Sequence, residues 1–152
     1  MNEIELALTL FNLRHHIEKT LKDLGVVRTH KFISDFGEWL ACKLFNGTLA
    51  FNPNEVAWDI EANGIKYQVK THHKAETTPA QWSKIKTLEY PVIIFQLKKD
   101  YKVNNVYFIT KDRLQDIFKP ADNQQNQNEF ILRWSECENI DERFINDYPF
   151  LF

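Results

Sequence analysis

Apolar residues recur at helical spacing from Asn2 to Leu24, at Leu6, Leu10, Leu13, Ile17, Leu21 and Leu24, and Gly25 follows as a stop. This spacing predicts an amphipathic helix whose other face carries Arg14, His15, Lys19 and Lys22. A second helix is expected from about His30 to Phe45, with Phe32, Phe36, Leu40 and Leu44 four residues apart and Asn46-Gly47 ending it. Glu38 lies off that stripe, beside Ala41 and Cys42; small neighbours one turn along let a carboxylate lie close against another element.

After Asn52-Pro53-Asn54, residues Ala57 to Ala62 and Ile65 to Thr71 alternate in polarity around Asn63-Gly64, a strong two-residue hairpin signal. The tight turn sets a register in which Ala62 faces Ile65, Glu61 faces Lys66 and Ile60 faces Tyr67. Continued, it sets Asp59 against Gln68, Trp58 against Val69 and Ala57 against Lys70. Trp58, Ile60, Tyr67 and Val69 are then expected on the buried face, and Asp59, Gln68 and Lys70 on a solvent-accessible one.

Gln81 to Leu88 reads as a short helix through Trp82, Ile85 and Leu88. Two apolar strands follow, Val92 to Leu97 and Asn105 to Thr110, whose continuous apolar character fits a sheet covered on both faces. Lys111 to Phe118 reads as a helix, Phe130 to Trp134 as a strand, and Asp141 to Tyr148 as a short helix. Asn123 to Asn128 is a polar loop, and the terminal Tyr148, Phe150, Leu151 and Phe152 are expected to dock on the core. The order predicts an α/β fold with a mixed central sheet flanked by helices.

The 152 residues, 43% of them hydrophobic, fit one domain spanning residues 1–152. A net charge of −2 excludes a generic basic nucleic-acid coat but allows a local basic face. Cys42 and Cys137 are far apart, with no zinc-finger spacing, and a reducing cytoplasmic setting is expected. No apolar run approaches the ~20 residues that span a bilayer, so no membrane partner is expected.

The hairpin's polar face carries the candidate chemistry. Asp59 and Gln68 as cross-strand neighbours would offer a carboxylate and an amide oxygen to a hard cation such as Mg²⁺, and the Val69 carbonyl a further ligand. Lys70 would sit where an ammonium orients an attacking water or offsets charge developing on a phosphodiester. The same residues also fit an ordinary solvated sheet face, as Glu61 opposite Lys66 does. The adjacent pairs His15-His16 and His72-His73 diverge on helix and strand and make no metal clamp, although His72 follows Gln68 and Lys70 along their face.

Asp59, then Gln68-Val69-Lys70 after a hairpin, with Glu38 in the preceding helix, resembles the PD-(D/E)XK, or restriction-endonuclease-like, nuclease superfamily over roughly Phe36 to Leu97. The resemblance implies that fold, with Glu38 as the helix acid, Asp59 as the strand acid, and Gln68-Val69-Lys70 as the acid-x-Lys element. Trp58 stands where the family name has Pro, and Gln68 replaces the second acid. The resemblance further implies a Mg²⁺- or Mn²⁺-dependent DNA endonuclease. Glu38, Asp59, Gln68 and Val69 would hold the metal, Lys70 would assist water attack, and Lys66, His72, Lys74, Lys84 and Lys86 would contact phosphates. Cutting both strands would take two copies, hence a homodimer. The alternative is a catalytically inactive module of the same fold that binds DNA or a partner protein.

Overall fold

The computed structural model of the chain describes residues 3–29, 31–52, 57–73, 81–118 and 130–152. Lys74 and the Asn/Gln tract fall outside them. Helices α1 (Glu3–Asp23) and α2 (Phe32–Phe45) precede strands β1 (Thr48–Leu49), β2 (Ile60–Ala62), β3 (Ile65–His73), β4 (Trp82–Ile85), β5 (Val92–Leu97) and β6 (Val103–Ile109). Helix α3 (Lys111–Ile117), strands β7 (Phe130–Arg133) and β8 (Glu138–Asn139) and helix α4 (Glu142–Ile145) follow. Six strands form one sheet in the order β1-β2-β3-β5-β6-β8, mixed because β3 and β5 run parallel while every other pair is antiparallel. β4 and β7 form a separate antiparallel ribbon.

Asn63 and Gly64 both take positive φ, the conformation a two-residue hairpin of this twist demands. The expected pairs Ala62–Ile65, Glu61–Lys66 and Ile60–Tyr67 form, and the ladder stops there. The pairings expected for Asp59, Trp58 and Ala57 do not form. Trp58 also leaves the expected face: it is half-buried with the Lys66 ammonium 4.7 Å from its ring centroid, whereas Ile60, Tyr67 and Val69 lie in the core.

Gln81 to Leu88 is not a helix. Ser83 and Ile85 point inward and Trp82, Lys84 and Lys86 outward, a period of two that pairing with β7 fixes. Trp82, Ile85 and Leu88 are three apart and so satisfy a helical pattern as well; a partner distant in sequence decides between the two readings. β1 and β8, each two residues long, carry no period by which sequence could find them.

β5 is buried along its whole length, as its unbroken apolar run requires. On one side Ile93, Phe95 and Leu97 pack with Leu40, Ala41 and Leu44 of α2. On the other, Val92 and Ile94 pack with Leu114 of α3 and with Ile85, Leu132 and Trp134 around the ribbon. Tyr148, Leu151 and Phe152 dock on the first core as expected, with Lys98 Nζ donating to the Phe152 carbonyl (2.8 Å), but Phe150, expected to dock with them, is 69% exposed. The apolar stripe of α1 does not find a core. Leu6, Leu10, Leu13, Ile17 and Leu24 are 48% to 67% exposed, and grooves of about 510 and 620 Å³ lie between the C-terminal half of α1 and residues such as Phe32, Phe36 and Tyr101. Among the described residues no helix is long and apolar enough to cross a membrane.

Gly37 sets how closely α2 approaches the sheet: a Cβ there would lie 1.7 Å from Thr71 Oγ1 and 2.8 Å from Thr71 Cβ. Thr71 Oγ1 is correspondingly buried without a hydrogen-bond partner. Gly37→Ala should therefore destabilise the fold by about 1–3 kcal/mol despite alanine's better helix propensity. Urea unfolding checks this, and part of the loss should be recovered in a Thr71→Ala background, where the closest clashing atom, Oγ1, is gone although Cβ remains.

Candidate functional site

Beyond Tyr67, β2 turns away at Asp59, and among the described residues no strand pairs with that edge of β3. The Asp59 N–H still donates to the Tyr67 carbonyl (2.8 Å), and its own carbonyl accepts from Ala50 N–H (2.8 Å). Its carboxylate then replaces the missing strand: Oδ2 accepts from Val69 N–H at 2.7 Å. Gln68 N–H points the other way, to the Pro91 carbonyl (2.9 Å). Alternation along the strand therefore puts the Val69 carbonyl on the same edge as its N–H.

A cleft of about 440 Å³ runs along this edge, between α2 on one side and β4 on the other. Glu38, Asp59, Gln68, Val69 and Lys70 all line it, as do His72, Lys84 and Lys86. The helix acid reaches the cleft because the neighbouring Gly37 lets α2 lie against Thr71. Lys66 is not a lining residue; its ammonium is engaged over Trp58.

The acids are strained electrostatically. Burial, followed by the negative charge of Asp59, pushes Glu38 up to about 7, against the lowering influence of its ion pair with Arg28. Asp59 is also raised, by burial, although the Val69 N–H bond and the charges of Lys70, Arg28 and Lys86 oppose the shift. Two partly buried carboxylates, both raised by desolvation, favour whatever adds positive charge between them.

Arg28 partly meets that demand, and sequence periodicity gave no sign of it. Its Nη2 donates to Glu38 Oε2 (2.9 Å) and its Nη1 to the Ala50 carbonyl (2.8 Å). Buried Asp35 holds the preceding loop in place, accepting from the N–H groups of Arg28 and Thr29 and from Thr29 Oγ1. Both residues act from a loop and a helix start, where no alternation marks them.

Gln68 is 3% exposed, not on a solvated face as expected. Its amide nitrogen donates to the carbonyls of Thr87 (2.9 Å) and Tyr90 (3.1 Å), so the amide is pinned with its oxygen as the remaining polar atom. A Glu there would set a carboxylate oxygen against two carbonyl oxygens, which accounts for an amide at this position. His72 is not a simple cation either. Nε2 lies 2.7 Å from Ser83 Oγ, which also accepts from Trp134 Nε1 (2.9 Å), and burial followed by the charge of Lys70 lowers the imidazole.

The donor types are those a hard cation takes: one oxygen of Glu38 and one of Asp59 are engaged, leaving Oε1 and Oδ1, and Gln68 and Val69 line the same cleft. Among the described residues no three His, Cys, Asp or Glu side chains form a cage. Mg²⁺ ordinarily takes one or two carboxylates and fills its remaining positions with water and substrate oxygen, so two acids suffice. No known protein-family model matches the chain, and no curated protein matches it in sequence.

The raised Glu38 carries a stability consequence. Its folded form holds a proton that the unfolded chain releases, so stability falls as pH rises from about 4.5 to about 7. Glu38→Gln should flatten that fall, because it removes the titrating group. Thermal midpoints measured across the window check it; an unchanged slope would show that Glu38 is not the group that titrates there.

Proposed function

We propose that the chain is a divalent-metal-dependent deoxyribonuclease of the restriction-endonuclease-like fold, hydrolysing phosphodiester bonds in this cleft. The observation that supports the reading is the meeting of two partly buried acids, an amide oxygen and Lys70 along one strand edge. The mixed sheet with a helix ahead of the hairpin is compatible with that fold.

Glu38 Oε1, Asp59 Oδ1, the Gln68 amide oxygen and the Val69 carbonyl would hold Mg²⁺ or Mn²⁺. When bound, such an ion polarises a phosphoryl oxygen and makes coordinated water a better nucleophile. Lys70 is adjacent in the strand to Val69, lines the same cleft and lowers Asp59 through its charge. There it orients the attacking water and offsets the negative charge that grows on the phosphate. One P–O bond forms to the water oxygen, which gives up a proton to solvent, one ester P–O bond breaks, and the departing oxygen takes a proton from solvent, so that water is the net proton donor. Lys84 and Lys86 on the opposite wall contact flanking phosphates. His72, neutral against Ser83, serves as a hydrogen-bonding group and not as a counter-charge.

A second reading, a non-catalytic nucleic-acid-binding or protein-binding module, is favoured by Arg28, which already occupies one oxygen of Glu38. Cleavage of supercoiled and single-stranded circular DNA with Mg²⁺ or Mn²⁺ separates the two. Lys70→Ala and Asp59→Asn should each lower the cleavage rate by about 100-fold or more. Asp59→Asn should also lose metal binding, whereas Lys70→Ala should keep it. Asn is the cleaner replacement, since its side-chain oxygen still accepts from Val69 N–H, while Ala would orphan that group at a cost of about 1–3 kcal/mol. A wild-type protein inert with every divalent metal, which binds DNA as tightly as both variants, would establish the module instead.

A further inference from the structure

The β4–β7 ribbon has one face in the core and one in solvent, and the two are chemically unlike. Inward, Ser83, Ile85 and Leu132 are fully buried. Ser83 Oγ joins the ribbon to the rest of the fold, accepting from Trp134 Nε1 and lying 2.7 Å from His72 Nε2 on β3. The ribbon is thus fixed to the strand that carries Lys70, two residues before His72.

Outward, the register sets Trp82 opposite Arg133 and Lys84 opposite Ile131, and Lys86 continues the same face. Trp82 is 44% and Ile131 58% exposed. Neither strand contains Asp or Glu, in a chain whose net charge is −2. Lys84, Lys86 and Arg133 therefore form a local basic cluster on this face. Trp82, Lys84 and Lys86 also form the wall of the cleft facing Glu38 and Asp59, so ribbon face and cleft are continuous.

Basic side chains interleaved with an exposed indole match the needs of an unpaired strand. Cations at alternate positions track the phosphates, and an aromatic face stacks on a base. A base inside a duplex has both faces covered by its neighbours and presents only its edges in the grooves. Reading those edges calls for polar hydrogen-bonding side chains, and the outward face has Trp and Ile between its cations. The cleft, at about 440 Å³, is in the range of pockets for small ligands and offers room to one strand.

We propose that the outward face of the β4–β7 ribbon binds single-stranded DNA, with Trp82 stacked on a base and Lys84, Lys86 and Arg133 on the backbone, and leads the strand to Lys70. This names the substrate class of the cleft and rests on the nucleic-acid reading given above; the two are separable by experiment.

The test is binding of a fluorescently labelled single-stranded oligonucleotide, and of its duplex, to the full chain with metal chelated. The single strand should bind more tightly and quench tryptophan emission. Trp82→Ala should weaken single-strand binding about tenfold or more. Trp82→Phe should retain most of the affinity but lose most of the quenching. Arg133→Ala should reduce the dependence of log K on log salt by close to one contact. The Phe variant keeps a ring at the position, and matching thermal midpoints for it and wild type exclude misfolding as the cause of lost quenching. Tighter binding of duplex, or unchanged single-strand affinity in both Trp82→Ala and Arg133→Ala, overturns the inference. If wild-type protein cleaves duplex DNA and Trp82→Ala does so equally, the ribbon inference fails while the nuclease reading stands. If single-strand binding depends on the ribbon but no metal supports cleavage, the nuclease reading fails and the ribbon inference stands.

Discussion

The bond from Val69 N–H to the Asp59 carboxylate decides how the rest of the molecule is arranged. A strand N–H at an abandoned edge must find an acceptor, and the usual one is the next residue of the neighbouring strand. Here the neighbour supplies a side chain and then leaves, so pairing ends after Ile60–Tyr67, and among the described residues no strand pairs with the remainder of that edge of β3. Had the backbone ladder continued, β2 would fill the space where the cleft lies. The arrangement buries a carboxylate, at the cost of a raised Asp59, and in return holds that carboxylate rigidly beside the Val69 carbonyl and Lys70.

Charge balance around that bond is the second constraint. Burial and the charge of Asp59 raise the cost of ionising Glu38, and Arg28, fixed by the Asp35-bound loop, offsets part of it from one side. Arg28 is bound to the Ala50 carbonyl as well, so it acts as a built-in counter-ion that anchors Glu38. A cation between the two acids would act on their remaining oxygens. Gln68 fits the same logic: an amide there satisfies two loop carbonyls without placing a third negative charge in a site that already strains to hold two.

Much of this was legible in the sequence where local rules act alone. Asn63-Gly64 dictated the turn and three pairs of the register, and period-two alternation put Ile60, Tyr67 and Val69 in the core. Glu38, Asp59, Gln68 and Lys70 were each named from spacing and resemblance, and they line one cleft. The rest depended on contacts distant in sequence or on side chains doing the work of backbone. Alternation continues through Trp58 and Asp59 on paper, but a carboxylate that caps an N–H is invisible to it. Gln81 to Leu88 carries two periods at once, and β7 chooses between them. The α1 stripe is amphipathic in sequence yet exposed here, because amphipathicity says that a face is apolar and not what covers it.

The most direct measurement is the anomalous scattering of Mn²⁺ in crystals of the unmodified chain. An ion between Glu38 and Asp59, with the Gln68 amide oxygen and the Val69 carbonyl among its ligands or one water away, is the predicted result. Crystals soaked with Mn²⁺ that show no ion there, with Arg28 still paired to Glu38 and the two acids as close as before, would contradict the metal-dependent account of this cleft.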